Sequence, residues 1–361
     1  MAAILERTMN SFYAEASNKL RPFLKDFFDE QIKIYRPVNR WSKDALRRLY
    51  ATIIKGKMVR GGMVFLAYQL AGKRPDEACL RLAAAIEIVH TALIVHDDIM
   101  DLDELRRGES TLYKQYEILT RKHAGHNAGH VGESLGICVG DVAIFLSFNL
   151  LSSLPQTKTP ALQEIVGIFS QEIIKVGFAQ MQDVYSGAVS TMPSQADILR
   201  LYCYKTARYT FSLPLMLGGL AAGQPSGSVR LLEKFGEHLG IIFQIKDDEL
   251  GMFGDEQKIG KPVGSDIREG KKTLYYYFLF KQSSAAERKK LEGIFGNTSM
   301  TQNEVALVRE LIMKYGIQKK IAKILSYRIT AVKKVVAAYD GAAGQKKMLY
   351  ELLEYNLNRS A

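Results

Sequence analysis

His90-Thr91-Ala92-Leu93-Ile94-Val95-His96-Asp97-Asp98-Ile99-Met100-Asp101 is the stretch whose reading decides the fold. Upstream of it Ile86, Val89 and Leu93 recur at spacings of 3 and 4, and Asp97 extends the same line by another 4. That is the period of one helical face, not the alternation of a strand. The apolar stripe therefore runs into two carboxylates one turn apart, Asp97 and Asp101. Left without a cation, carboxylates on a face that was core are too costly to keep. Side by side at i and i+4, they suit a hard divalent cation that takes oxygen ligands and retains waters, namely Mg²⁺.

A second helix ends the same way. Phe235, Leu239 and Phe243 lead at spacings of 4 into Asp247-Asp248-Glu249-Leu250-Gly251, where Gly251 stands in place of a third aspartate. Two acidic helix ends about 150 residues apart imply helices facing one cavity, with metal ions bridging an anion between them, because carboxylates alone would repel. Bases accompany both motifs: Lys57 and Arg60 upstream, Arg106 and Arg107 after the first, Lys205 mid-chain, and Lys261, Lys271 and Lys272 after the second. Arginine offers a planar fork to phosphate oxygens and lysine a point charge. Together they predict two diphosphate pockets, one clamped through metal and one held by bases.

The rest of the chain agrees with a helical protein. In its 361 residues the 9 prolines fall mainly at connectors, leaving long proline-free windows with helical period. Gly-rich connectors are expected around residues 125–132, 218–227 and 251–270. No Ser- or Pro-rich linker and no repeat divides the chain, so one all-α domain spanning 1–361 is expected. Cys79, Cys138 and Cys203 form no CxxC pair, which argues against a disulfide framework and for a reducing, cytoplasmic setting. The N-terminus reaches charge at Glu6-Arg7, so no targeting segment is expected. The most apolar run, 136–154, is broken by Asp141 and Asn149, and no membrane span is expected. Of the formal charge of +11, residues 271–361 carry 17 Lys and Arg against 7 Asp and Glu, which leaves the remainder nearly neutral.

The ordered motifs resemble those of the trans-isoprenyl diphosphate synthases. They are Gly56-Lys57-x-x-Arg60, His90 to Asp101, Arg106-Arg107-Gly108, Gly140-Asp141, Lys205-Thr206-Ala207, Phe243-Gln244-x-x-Asp247-Asp248, and Gly260-Lys261 through Gly270-Lys271-Lys272-Thr273-Leu274. The motif-bearing core covers about 50–280, and the DDxLG form is similar to that of archaeal and bacterial geranylgeranyl diphosphate synthases. The resemblance implies an isoprenoid-synthase-type helical bundle around a central cavity, and a homodimer. It implies Mg²⁺-dependent, head-to-tail condensation of isopentenyl diphosphate with an allylic diphosphate, by ionisation, condensation and elimination. By the same resemblance Asp97, Asp98, Asp101, Asp247 and Asp248 hold three Mg²⁺ ions per site. Arg106, Lys205, Lys261 and Lys271 grip the allylic diphosphate, and Lys57, Arg60, His90 and Arg107 hold isopentenyl diphosphate. Thr206 and Gln244 line the cavity where the carbocation forms. Ala92 and Leu93, one turn below Asp97, set chain length. Ala92 stands where farnesyl-specific enzymes carry an aromatic floor, so a product of C20 or longer is expected, with Leu93 and Phe145 or Phe148 closing the end.

Other readings are weaker. A class I terpene cyclase shares the fold and first motif, but needs an Asn/Ser/Glu second motif and no isopentenyl pocket. A non-catalytic subunit of a heteromeric synthase would be expected to lose metal ligands. The basic tail lacks interleaved stacking aromatics, so no nucleic-acid partner is expected, and its surplus charge suits peripheral contact with an anionic membrane. His123, His126 and His130 could line one face as a zinc site, but their intervening glycines favour a connector. Ala179-Gln180-Met181-Gln182-Asp183 is expected to be structural.

Overall fold

In the computed structural model, which describes residues 2–155, 161–254 and 264–359, the chain is a succession of helices. They are α1 (Ala2–Tyr35), α2 (Arg40–Ile54), α3 (Val59–Leu70), α4 (Glu77–Met100), α5 (Leu112–Ala124), α6 (Ala128–Ser152), α7 (Leu162–Ala188), α8 (Gln195–Leu201), α9 (Leu213–Ala221) and α10 (Ser226–Phe253). After residues 255–263 follow α11 (Ser265–Arg268), α12 (Leu274–Gln282), α13 (Ala285–Ile294), α14 (Gln302–Lys314), α15 (Ile317–Ala338) and α16 (Ala343–Leu357). The strands among the described residues are one two-residue hairpin, β1 (Leu105–Arg106) against β2 (Glu109–Ser110). An all-α fold is what the helical periods predict.

Packing groups the chain into two compact units, each assembled from segments distant in sequence. One comprises Arg7–Phe169 and Pro214–Val229, the other Met1–Glu6, Ser170–Leu213 and Arg230–Ala361. In the first unit α4 is the central helix: Ala83, Ala84, Ala85, Ile88 and Ala92 are wholly buried. α6 packs closely along it. A Cβ on Gly140 would stand 2.2 Å from His96 Nε2, so only glycine lets α6 lie this near. The connector expected over 125–132 is thus confined to Gly125–Asn127, because Gly129 and Gly132 belong to α6. α4 is also apolar and long enough to cross a membrane by length and composition, but 72% of its apolar window is buried inside the protein, the situation of a core helix.

The second unit is built around Tyr202, Ile241, Ile245, Leu274, Tyr275 and Ile312. Tyr275, Tyr276 and Tyr277 are buried core aromatics. Between α8 and α9, residues Tyr202–Ser212 form a π-helix, a widened turn that is rare and tends to mark functional positions. α10 fastens it backbone to backbone. A Cβ on Gly240 would meet Ala207 Cα at 2.3 Å, and one on Gly236 would meet Ser212 N at 2.5 Å. Arg208, within this segment, reaches Glu172 at 2.7 and 2.8 Å, Glu233 at 2.6 Å and Glu237 at 3.1 Å, tying the segment to α7 and α10.

Candidate functional site

The C-terminal end of α4 carries the first acidic motif. The apolar stripe surfaces there: Ile86 and Val89 are buried, Leu93 and Asp97 are half-buried, and Asp101 is exposed as the C-cap. The buried carboxylate is Asp98, one residue off the stripe. Its Oδ1 accepts Arg106 Nε at 2.6 Å, with Arg106 Nη2 at 2.5 Å. Burial dominates over the arginine and pushes the Asp98 carboxyl up to about 6. Asp98 therefore serves first as the seat of Arg106, while Asp97 and Asp101 stand at the open end of the helix.

Arg106 is aimed by the hairpin. Leu105 pairs with Ser110 and Arg106 with Glu109, and the two turn residues, Arg107 and Gly108, both have positive φ, 53° and 77°. That is a type I′ turn, and it costs a non-glycine residue strain at the first position. Non-glycine residues with positive φ among those described are Met58, Leu102 and Arg107, and all three border this motif and its cations. Strain of this kind gathers where geometry matters.

Beside the motif the other bases converge from three parts of the sequence. Arg60 Nη1 lies 3.0 Å from His90 Nε2. Because guanidinium can only donate, His90 Nε2 accepts and its proton sits on Nδ1. Burial and the nearby Arg60, Arg107 and Arg106 push the His90 imidazole well below its ordinary range, so it is neutral. A Cβ on Gly56 would lie 3.7 Å from Arg107 Nη1, which brings Arg107 against the loop holding Lys57, itself exposed. Beneath them is Glu87, buried, its Oε1 accepting the Gly61 N–H at 2.7 Å and facing the charges of Arg60 and Arg107. Sequence reasoning misses Glu87. Its one signal is a carboxylate in the middle of an otherwise apolar helical run.

The second acidic motif is served by the π-helical segment. Thr206 Oγ1 donates to Gln244 Oε1 at 2.8 Å, and Gln244 Nε2 donates to Asp248 Oδ1 at 2.9 Å. Tyr202 completes the chain: its hydroxyl donates to Asp248 Oδ2 and accepts the Leu274 N–H at 3.0 Å. Asp248 is thus buried with a hydrogen bond at each oxygen, and burial, followed by repulsion from Asp266, drives its carboxyl well above the ordinary range. Asp247 is the exposed member. Lys205 pairs with Asp183, so the AQxxD stretch supplies a partner to a diphosphate-binding candidate. Lys271 contacts Glu269 at 2.6 Å and lies 3.9 Å from Asp266. Lys261 lies outside the described residues.

Among the described residues no three His, Cys, Asp or Glu side chains form a preformed metal cage. The donor set still fits Mg²⁺, which typically takes one or two carboxylates and completes its shell with water and substrate phosphate. His123, His126 and His130 are all exposed and gather no such cage. Ala92 is wholly buried under the first motif and Leu93 half-buried. Phe148 packs edge-on against Phe169 at 5.3 Å, whereas Phe145 is 73% exposed. The helical period leaves both phenylalanines near one face, and only packing separates them.

The family model described as polyprenyl synthetase matches residues 43–312. The chain is 30% identical over 352 residues to the geranylgeranyl diphosphate synthase of Sulfolobus acidocaldarius, covering 97% of this chain and 98% of that one. It is 30% identical to the short chain isoprenyl diphosphate synthase of Methanocaldococcus jannaschii, over 79% of this chain and 80% of that one. Its fold superposes with a TM-score of 0.87 on the crystal structure of geranylgeranyl pyrophosphate synthase from Corynebacterium glutamicum complexed with isoprenyl diphosphate and magnesium, at 26% identity, covering 96% and 99% of the two chains.

Proposed function

From the premise that this chain belongs to the polyprenyl synthetase family, we propose an assignment of its residues to a trans-prenyltransferase that makes a C20 or longer prenyl diphosphate. The enzyme is a Mg²⁺-dependent prenyltransferase acting on prenyl diphosphates. The observation that carries the assignment is the gathering of Arg60, His90 and Arg107 around Glu87, beside the first acidic motif and apart from its carboxylates. A terpene cyclase has no use for a second anion pocket.

Asp97, Asp101 and Asp247 are assigned to three Mg²⁺ ions and the allylic diphosphate. When bound, the ions neutralise charge on the departing diphosphate. Asp98 and Asp248 are assigned to orientation, the one seating Arg106 and the other ordering Gln244. Arg106, Lys205, Lys271 and Lys261 hold the same diphosphate, and preorganised cations aimed at developing negative charge lower the barrier to ionisation. Lys57, Arg60, Arg107 and the Nδ1–H of neutral His90 hold isopentenyl diphosphate. Thr206 and Gln244, locked to each other, present their oxygens to the allylic cation without being nucleophilic enough to trap it. The isopentenyl double bond attacks C1 of the cation, a carbon–carbon bond forms, and the proton lost from C2 passes to the released diphosphate.

Chain length follows from Ala92, too small to block elongation one turn below Asp97. The exposed apolar side chains Ile118, Leu119, Ile137, Val142 and Phe145 support a homodimer through α5 and α6. α15 contains no acidic residue and exposes Lys319, Lys320, Lys323, Lys333 and Lys334, which supports peripheral contact of a cytoplasmic enzyme with anionic membrane. The test is incubation of the purified chain with Mg²⁺, labelled isopentenyl diphosphate and each of the C5, C10, C15 and C20 allylic primers. Products of C20 or longer are expected. Products ending at C15 would remove the length assignment, and no elongation from any primer would remove the whole.

A further inference from the structure

If the second acidic motif holds Mg²⁺ and diphosphate, as proposed above, it is one carboxylate short of the first. Gly251 stands where the third would project, but the space beside it is filled. A Cβ on Gly251 would lie 2.8 Å from Asp266 Oδ2, 3.3 Å from its Cγ and 3.7 Å from its Oδ1. No real Cβ tolerates the first of these distances, so a side chain at 251 and the Asp266 carboxylate compete for one volume.

The Asp266 carboxylate is held there by its own segment. Gly264 N–H donates to the Gly251 carbonyl at 3.1 Å, docking the chain onto the end of α10 just before α11. Lys271 N–H donates to the Asp266 carbonyl at 2.9 Å, and Lys271 Nζ lies 3.9 Å from Asp266 Oδ1. The Asp266 side chain is 16% exposed, so it is presented at an edge, neither sealed in the core nor loose in water.

We propose that Asp266 supplies the third carboxylate of the second acidic motif, delivered from a separate segment into the room that Gly251 leaves. Asp266 is then a positioning residue, orienting the ion on Asp247 or the waters of that ion. Loss of such an outer partner typically costs 10–100-fold in metal affinity. Gly251 is on this view the vacancy that admits a carboxylate from another segment, not a carboxylate lost.

A reciprocal swap tests it. Mn²⁺ is titrated into the full-length protein with inorganic diphosphate present, free Mn²⁺ being read by electron paramagnetic resonance. Asp247→Asn gives the level for a disabled second motif, and each variant's melting temperature is recorded. Asp266→Ala should weaken Mn²⁺ binding by about tenfold or more. Gly251→Asp alone should weaken it too, because the new side chain collides with Asp266. Gly251→Asp combined with Asp266→Gly should return binding to within about threefold of wild type. Should Asp266→Ala fail to fold, Asp266→Asn, which keeps the shape, is read in its place. A wild type that binds no Mn²⁺ overturns the functional assignment. A wild type that binds, with Asp266→Ala binding equally well or lowering only the melting temperature, overturns the role of Asp266, as does a double variant no better than Gly251→Asp.

Discussion

The guanidinium carbon of Arg359 stands 4.1 Å from the centre of the Phe243 ring, and Nη2 lies 3.7 Å from Asp247 Oδ1. A residue near the end of the chain thus stacks on the helix of the second acidic motif, one turn from its exposed carboxylate. With the Arg359 side chain 13% exposed, the stacking is largely desolvated.

Removing that contact should cost stability. Arg359→Ala is expected to lower the unfolding free energy by about 1 kcal/mol, within the range for a cation over an aromatic face. Arg359→Lys should recover part of it. Urea denaturation of the three proteins checks this, and equal midpoints would show that the stacking contributes nothing.

Tyr202, 46 residues before Asp248 and 72 before Leu274, joins the motifs that those two residues belong to, through the Asp248 carboxylate on one side and the Leu274 N–H on the other. Tyr202→Phe leaves a buried carboxyl and a buried amide each short of a partner, at an expected cost of about 1–3 kcal/mol. Gln244 loses a fixed neighbour at the same time, so kcat should fall more than KM rises. Steady-state kinetics beside a melting curve separates the two effects. Unchanged kcat would place Tyr202 outside the function of the second motif.

His90 makes stability depend on pH. In the fold its pKa is depressed by burial and by Arg60, Arg107 and Arg106, while in the unfolded chain it is near 6.5. A depressed base contributes stability that is present above its unfolded pKa and lost as pH falls below it. Between pH 7.5 and pH 5 the loss should reach at most about 2 kcal/mol. His238, depressed by burial and Arg328, acts in the same direction, so the His90 share is the difference between wild type and His90→Gln. Parallel pH profiles for the two proteins would mean that His90 titrates normally.

Ala92 is wholly buried one turn below Asp97, so Ala92→Phe should place a ring where the growing chain must pass. The product is expected to shift to C15. Overpacking should also cost about 1–3 kcal/mol, which a melting curve registers independently. A stable variant with unchanged product length would move the length determinant elsewhere.

Much of the fold was legible in the sequence because helices write their period locally. The stripe of Ile86, Val89 and Leu93 marks α4 without knowledge of what packs on it, and the acidic motif at its end follows from the same register. Less legible was what each carboxylate does. Asp98 and Asp248 look like their neighbours in a string of letters, yet both are buried and held, by Arg106 in one case and by Tyr202 and Gln244 in the other. Phe145 and Phe148 look equivalent, yet one faces out and the other packs on Phe169. Gly129 and Gly132 suggest a connector, and instead sit inside α6, where Gly132 lets α5 lie close.

What the sequence by itself determined is the inventory: an all-helical chain, two acidic helix ends, and bases of a kind that binds diphosphate, each fixed by residues within a few turns of one another. Tertiary structure alone decided which carboxylates are buried, which bases meet, and that Glu87, Tyr202, Asp266 and Arg359 stand beside the motifs. The physical reason is that burial and pairing are properties of neighbours in space. A carboxylate's charge and its partners depend on residues far away in sequence, as Asp248 depends on Tyr202, 46 positions before it, and Asp247 on Arg359, 112 positions after it, and periodicity along a helix carries no record of them.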